Sequence, residues 1–125
     1  MSAANPATIS EANPFIPMTL GAYAAKAMTY RLPSADATYA NINLAGECGE
    51  LLGMIAKERR DGPYEGKKSV EYKRLLKKEI GDILWHLVAI AEDNGTTLDE
   101  CALLNLVKLR DRKERDVIQG SGDER

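Results

Sequence analysis

Two segments of this chain combine a helical repeat of apolar residues with two acidic residues on the same stripe. Glu47 and Glu50 lie three positions apart in the stretch NLAGECGELLG. Glu79 and Asp82 repeat that spacing in EIGDILWHL. Residues three apart on an α-helix share a face, so each pair projects from a mostly apolar surface. Carboxylates on an apolar surface are costly to bury, so the fold has to provide hydrogen-bond donors or a cation for all four of them.

Helix-breaking residues separate the first two predicted helices from each other and from the next helix. Thr19 is expected to cap the first helix, LGAYAAKAMTY, which Pro33 terminates. The second helix is expected to start at Ser34 or Asp36 and to run to about Arg60. The turn-rich stretch RDGPYEG follows it.

Two further helices are predicted beyond that turn. The third runs from about Ser69 to Asp93, and Gly95 is its expected stop. Thr97 followed by Glu100 has the spacing of a capping box, which opens a fourth helix, LDECALLNLVKLRDRKER. Since no segment shows convincing β-alternation, the sequence predicts an all-α bundle of four helices.

The length of 125 residues is typical of one domain, here expected over residues 18–118. Residues 1–17, rich in Ala, Pro, Ser and Asn, are expected to form a flexible arm, and residues 119–125 a polar tail. The near-even balance of 17 basic and 19 acidic residues argues against a nucleic-acid partner. Without a signal-like start or a membrane-length apolar run, we expect a cytoplasmic protein whose Cys48 and Cys101 are reduced and buried.

The acidic pairs indicate a metal site. Four carboxylates that converge without cations would repel one another, and bound Mg²⁺ removes that difficulty because it prefers oxygen ligands. Ordinary surface acids are the alternative for either pair taken alone. Gly46, Gly49 and Gly81 each precede one of the acids, at a cost to helix stability. They indicate either close helix packing or room for a ligand.

The motifs LAGECGEL, EIGDILWHL and NLVKLRDR together resemble the MazG-type, all-α nucleoside triphosphate pyrophosphohydrolases. The terminal GSGDER is similar to the tail of compact phage-like and mobile-cassette members. The resemblance implies an oligomeric MazG-like bundle, a homodimer or homotetramer. It also implies hydrolysis of a nucleoside triphosphate between its α and β phosphates with Mg²⁺, for which Mn²⁺ could substitute. The implied metal ligands are Glu47, Glu50, Glu79 and Asp82, with Glu47 or Glu50 as general base.

The fourth predicted helix carries the residues that would meet the phosphates. Asn105, Lys108 and Arg112 share one stripe, and they match the family's Asn-x-x-Lys-Leu-x-x-Arg segment. A basic stripe beside an acidic metal site suits a triphosphate, although a solvated helix face is the alternative. The opposite side is expected to pack into the bundle, through Leu103, Leu106, Val107 and Leu109.

Aromatic side chains and one histidine accompany the acids. His86 lies one turn after Asp82, where many relatives carry tyrosine, and it could contact the substrate, hydrogen-bond a metal ligand or be a satisfied core residue. Trp85 is expected to pack in the core or an interface. Tyr23, Tyr30 and Tyr39 could stack on a base or simply pack.

Several substrates and more than one function are compatible with the sequence. Analogy with compact relatives favours a deoxypyrimidine triphosphate such as dCTP or dUTP, while a damaged nucleotide or dGTP is also compatible. A non-catalytic helical interaction module holding a structural cation is the main alternative. A di-iron carboxylate bundle would need Glu-x-x-His on two helices, and the chain has one histidine.

Overall fold

The computed structural model describes residues 18–115. Four α-helices follow one another in this part of the chain: α1 (Leu20–Met28), α2 (Ala37–Asp61), α3 (Gly66–Asp93) and α4 (Leu98–Glu114). No strand occurs between residues 18 and 115, so the predicted all-α fold with four helices is confirmed. The predicted arm (residues 1–17) and tail (residues 119–125) lie outside the described residues.

Side-chain caps start three of the helices where the sequence predicts them. Thr19, Asp36 and Thr97 each accept a hydrogen bond from the backbone N–H three residues later, at 3.1, 2.9 and 3.1 Å. Asp36, rather than Ser34, is therefore the cap of α2. In a complete capping box the Glu100 carboxylate would accept from the backbone N–H of Thr97. Here it accepts instead from the Thr96 hydroxyl, at 2.6 Å.

The two ends of α3 give one confirmed prediction and one correction. Gly95 follows the helix with a φ of 70°, the left-handed conformation expected of a residue that stops a helix. The start at Ser69 is wrong, because α3 begins three residues earlier, at Gly66. Gly66 adopts a φ of 56°, and the Ser69 N–H donates to the Glu65 carbonyl oxygen at 3.4 Å, which closes an additional turn.

The helices form an open bundle. α2 packs along α3, α1 packs against α3 and α4, and α4 contacts α1 and α3 but not α2. Gly21 in the first turn of α1 allows a close approach of α4, because a Cβ at this position would lie 2.8 Å from Asp99 Oδ2. The carboxylate of Asp99 thereby lies near the positive end of the α1 dipole.

The buried core within one chain is small. Its hydrophobic members are Ala27, Ala40, Val88, Ala89 and Ala91, and among residues 18–115 no large side chain is completely buried. None of the four helices is long and apolar enough to cross a membrane. So small a core leaves many large apolar side chains at the surface of the isolated chain.

The predicted orientation of α4 is wrong for this chain. The residues expected to pack into the bundle are exposed instead: Leu103 by 64 %, Leu106 by 64 %, Val107 by 44 % and Leu109 by 37 %. Of the predicted basic stripe, Arg112 is only 9 % exposed, Lys108 is half-buried and Asn105 is exposed. The physical reason is that α4 packs on α1 and α3 alone among the four described helices, so none of these helices covers its other side. Cys101 is also exposed rather than buried, while Cys48 is half-buried.

Candidate metal and nucleotide site

The packing of α2 along α3 brings three acidic residues together. Glu47, Glu50 and Glu79 each offer a carboxylate oxygen, and these oxygens all lie within 4.8 Å of one another. The first two come from adjacent turns of α2, and the third faces them from α3. Asp82 lies outside this group of three, but it lines the adjoining cavity together with Glu47. The structure thus clusters three of the four predicted ligands and places the fourth beside them.

The electrostatics of Glu79 show the cost of this cluster. Burial raises the pKa of Glu79 above its ordinary value, and the negative charges of Glu50, Asp82 and Glu47 raise it further. Its Oε2 atom is buried and has no hydrogen-bond partner in the described part of the chain. A buried carboxylate oxygen without a donor, among like charges, is in an unfavourable position that a cation would relieve.

The donor set fits a hard divalent cation. All the clustered ligand atoms are carboxylate oxygens, which Mg²⁺ and Mn²⁺ prefer over the nitrogen and sulfur ligands typical of zinc. The orphaned oxygen of Glu79 is the structural observation that supports this fit. Glu47, Glu50 and Glu79 would hold the ion, and Asp82 lies close enough to their carboxylates to influence the pKa of Glu79.

His86 is buried beside the cluster. It is 5 % exposed, and its Nε2 lies 3.8 Å from Glu47 Oε1, which is too far for a hydrogen bond. Its Nδ1 is buried and has no hydrogen-bond partner within residues 18–115. The rings of Tyr39 and Trp85 flank the imidazole, with centroids at 6.1 and 5.2 Å. Among the described residues, His86 therefore lacks the hydrogen bonds of a satisfied core histidine, which was one of the three roles compatible with the sequence.

A cavity of about 340 Å³ adjoins the acidic cluster. Its walls come from the α1–α2 loop, from α2 and from α3, and consist of Tyr30, Leu32, Ser34, Ala35, Tyr39, Glu47, Asp82, Trp85 and His86. Trp85 belongs to this wall, where its Nε1–H donates to the Ala27 carbonyl oxygen at 3.1 Å. The cavity combines aromatic faces with carboxylates, the two surfaces that a base and a metal-bound phosphate chain require.

Sequence reasoning identified part of this cavity. Tyr30 and Tyr39 were possible stacking residues, and both line the wall, whereas Tyr23 does not. The contribution of Leu32 and Ser34 was missed. The only signal was Pro33, which marks a break in the helical pattern without indicating where the loop folds.

The α4 residues lie apart from this cavity. Asn105 and Lys108 line a separate shallow depression of about 610 Å³, together with Cys101, Leu104, Val107 and Asp111. Arg112 is buried on the side of α4 that faces the other helices. Within one chain the structure therefore brings the acids and the aromatic rings together, and it leaves Asn105 and Lys108 outside their cavity.

The glycines before the acids face open space. A Cβ added at Gly46, Gly49 or Gly81 would have no neighbour within 4 Å among the atoms that the structure describes. Close packing between helices of the same chain therefore does not account for them. The space beside these backbones is available to a ligand or to a second chain.

Together these features define an all-α protein with a cluster of three carboxylates beside an aromatic cavity. The family model of the MazG nucleotide pyrophosphohydrolase domain matches residues 37–116, and the chain belongs to this family. The chain is also similar to the Gene 37 protein of Mycobacterium phage L5, with 38 % identity over 88 residues, covering 70 % of this chain and 75 % of that protein. No solved structure gives a significant match.

The family match supports nucleotide pyrophosphohydrolase activity in general, as the sequence motifs indicated. The matched region contains the four acids and the whole of α4. It begins at residue 37, so α1 and the α1–α2 loop precede it.

Proposed function

We propose that this protein is a Mg²⁺-dependent pyrophosphohydrolase that cleaves a deoxypyrimidine triphosphate, dCTP or dUTP, to the monophosphate and pyrophosphate. The observation that carries the proposal is the cluster of Glu47, Glu50 and Glu79 at the edge of an aromatic cavity. A nucleotide with its base in the cavity has its phosphates beside the carboxylates. Glu47 belongs to both the cluster and the cavity wall, and it marks the junction between the two.

The proposed roles of the acids, as metal ligand or general base, follow from their positions. Bound Mg²⁺ would offset charge on the phosphate oxygens and favour departure of pyrophosphate. Glu79 faces Glu47 and Glu50 from α3, and its buried Oε2 has no hydrogen-bond partner within residues 18–115, which suits a metal ligand. Glu47 or Glu50 accepts the proton of the attacking water as that water bonds to the α-phosphorus.

The aromatic walls are proposed to bind the base. Tyr39 and Trp85 offer ring faces for stacking, and the buried Nδ1 of His86 is a polar atom that a substrate group could satisfy. The choice of a deoxypyrimidine rests on the resemblance to compact members of the family. Purine nucleotides belong in the same substrate screen.

The proposed assembly is a homodimer or homotetramer. The side of α4 formed by Leu103, Leu104, Leu106 and Val107, here called the α4 apolar face, is exposed by 44 to 71 %. A second copy would cover such a surface, and two-fold symmetry is the usual arrangement. Asn105 and Lys108 border this face, and in an assembly we expect them, with Arg112, to help neutralise the triphosphate.

A nucleotide screen tests the proposal. We expect pyrophosphate release with Mg²⁺ or Mn²⁺, none after chelation, and the highest kcat/KM for dCTP or dUTP. Asp82→Asn should lower the rate by orders of magnitude while the circular dichroism of the helices stays unchanged. Glu71→Gln, at an exposed acid of the same helix, is the control. A protein that binds Mg²⁺ but releases no pyrophosphate from any nucleotide is a cation-binding interaction module instead.

A further inference from the structure

One arginine ties the α1–α2 loop to the far end of α3. The Arg31 Nε–H donates to the Ala35 carbonyl oxygen at 2.7 Å, within the same loop. Its two terminal nitrogens donate to the two carboxylate oxygens of Asp93 at 2.8 and 2.9 Å. The side chains are only 15 and 25 % exposed, although the two residues lie 62 positions apart in the sequence. Such a paired geometry fixes orientation as well as distance.

The loop held by Arg31 is one wall of the aromatic cavity. Four of its residues line that cavity: Tyr30, Leu32, Ser34 and Ala35. The Ala35 N–H donates to the Leu32 carbonyl oxygen at 2.9 Å, so the bond from Arg31 to Ala35 braces a tight turn. Arg31 itself does not line the cavity, so any effect of this residue on a ligand there must act through the loop.

Apolar packing holds this loop weakly. Tyr30 is 48 % exposed and Leu32 68 % exposed. The bond from Trp85 to Ala27 anchors the end of α1 but does not reach the turn. A segment with little buried apolar surface depends on its polar contacts to keep one conformation.

The charge at the end of α3 makes the contact with Arg31 specific. This helix ends with Glu92 and Asp93 and has no basic residue in its last turn, an arrangement that the helix dipole disfavours. Arg31 supplies the missing positive charge from another element. The hydrogen bond from Arg31 correspondingly lowers the pKa of the Asp93 carboxyl, and the same bond raises the pKa of Arg31.

From these contacts we infer that Arg31 is a positioning residue, which holds the α1–α2 loop against α3 and so shapes the wall that selects the nucleoside part of the substrate. The inference rests on the proposed function. The metal-binding acids lie within the region matched by the family model, whereas this loop precedes residue 37. Cleavage of the phosphates is then carried by the matched region, and discrimination between bases depends on the loop together with the rings of Tyr39 and Trp85.

The test compares Arg31→Ala with Arg74→Ala. Arg74 makes a similar two-bond contact, to Glu71 at 2.9 and 2.7 Å, but lies exposed within α3 and away from the cavity. For Arg31→Ala we expect KM for the preferred nucleotide to rise about tenfold, because the released loop would occupy its binding conformation for a smaller fraction of the time. The ratio of kcat/KM between preferred and other bases should fall by a similar factor, with kcat and Mn²⁺ affinity close to wild type.

Fluorescence provides a readout that does not require activity. Trp85 is the single tryptophan of the chain and lines the cavity, so quenching by acrylamide reports whether the loop covers it. Quenching should increase in Arg31→Ala and stay at the wild-type level in Arg74→Ala. If the wild-type protein hydrolyses no nucleotide but quenching still increases in Arg31→Ala, the proposed function is overturned and the role of the loop contact is retained.

Further variants separate positioning from general destabilisation. Asp93→Asn should raise KM less than Arg31→Ala, and the double variant should be no worse than Arg31→Ala, because both changes remove one contact. Arg31→Lys should rescue little, since an ammonium group cannot make all three bonds. If Arg31→Ala fails to fold, Asp93→Asn decides by the same readouts. Wild-type quenching and KM in these variants, or a parallel loss of kcat and Mn²⁺ affinity, would overturn the inference.

Discussion

The imidazole of His86 on α3 faces the carboxylate of Glu47 on α2, with Nε2 and Oε1 3.8 Å apart. Neither a hydrogen bond to this acid nor a partner for Nδ1 is present in residues 18–115, although the side chain is buried. A buried ring nitrogen without a hydrogen-bond partner costs folding free energy. The unpaired Nδ1 therefore contributes nothing to stability within residues 18–115, and it is available to a ligand of the proposed site.

The first prediction concerns His86. His86→Phe keeps a ring of similar size and removes both nitrogens, so it should raise the melting temperature and lower kcat/KM about tenfold. Thermal unfolding and steady-state kinetics on the preferred nucleotide measure the two effects. A variant that is less stable but fully active would show that His86 has only a packing role.

The second prediction concerns the repulsion within the acidic cluster. In metal-free protein, Glu79→Gln should raise the melting temperature by a few degrees, because it removes a buried charge that the carboxylates of Glu50, Asp82 and Glu47 repel. Added Mg²⁺ should stabilise the wild type strongly and the variant weakly. Calorimetry with and without chelator measures both. A destabilised metal-free variant would contradict the electrostatic account, and Glu71→Gln is the matched exposed control.

The third prediction concerns Lys108. Lys108→Ala should lower kcat/KM about ten- to a hundredfold, the value of a charge-assisted hydrogen bond to a phosphate. Mg²⁺ binding by the acids, measured by titration calorimetry, should be unchanged. Lys113→Ala provides the control, because Lys113 is an exposed lysine in the last turn of the same helix. Equal turnover in both variants would assign Lys108 to the helix surface alone.

The fourth prediction concerns assembly. Leu104 is 71 % exposed on the α4 apolar face, and Leu104→Glu would place a charge in any interface formed there. We expect light scattering to show an oligomer for the wild type and a smaller species for this variant, with a loss of activity. Leu104→Met should behave as the wild type. A wild-type protein that is monomeric and fully active would refute the proposed assembly.

The sequence alone was sufficient to predict most helix starts and the shared face of the α2 acids, because these features depend on residues close together in the chain. Thr19, Asp36 and Thr97 cap helices because their side chains satisfy nearby backbone N–H groups, a relation contained within four residues. Spacing alone likewise placed Glu47 and Glu50 on one face of α2. The missed start of α3 at Gly66 shows the limit of such rules, because its extra turn lacks a side-chain cap that a sequence would reveal.

Contacts between distant segments settled the rest. The approach of Glu79 to Glu47 and Glu50, the inward position of Arg112 and the bond from Arg31 to Asp93 all depend on how helices pack. The sequence predicted the opposite face of α4 to be buried, since apolar residues usually face a core. That face is exposed because, within residues 18–115, α4 packs on α1 and α3 and not on α2. The helical periodicity of a segment does not specify which neighbours will cover it.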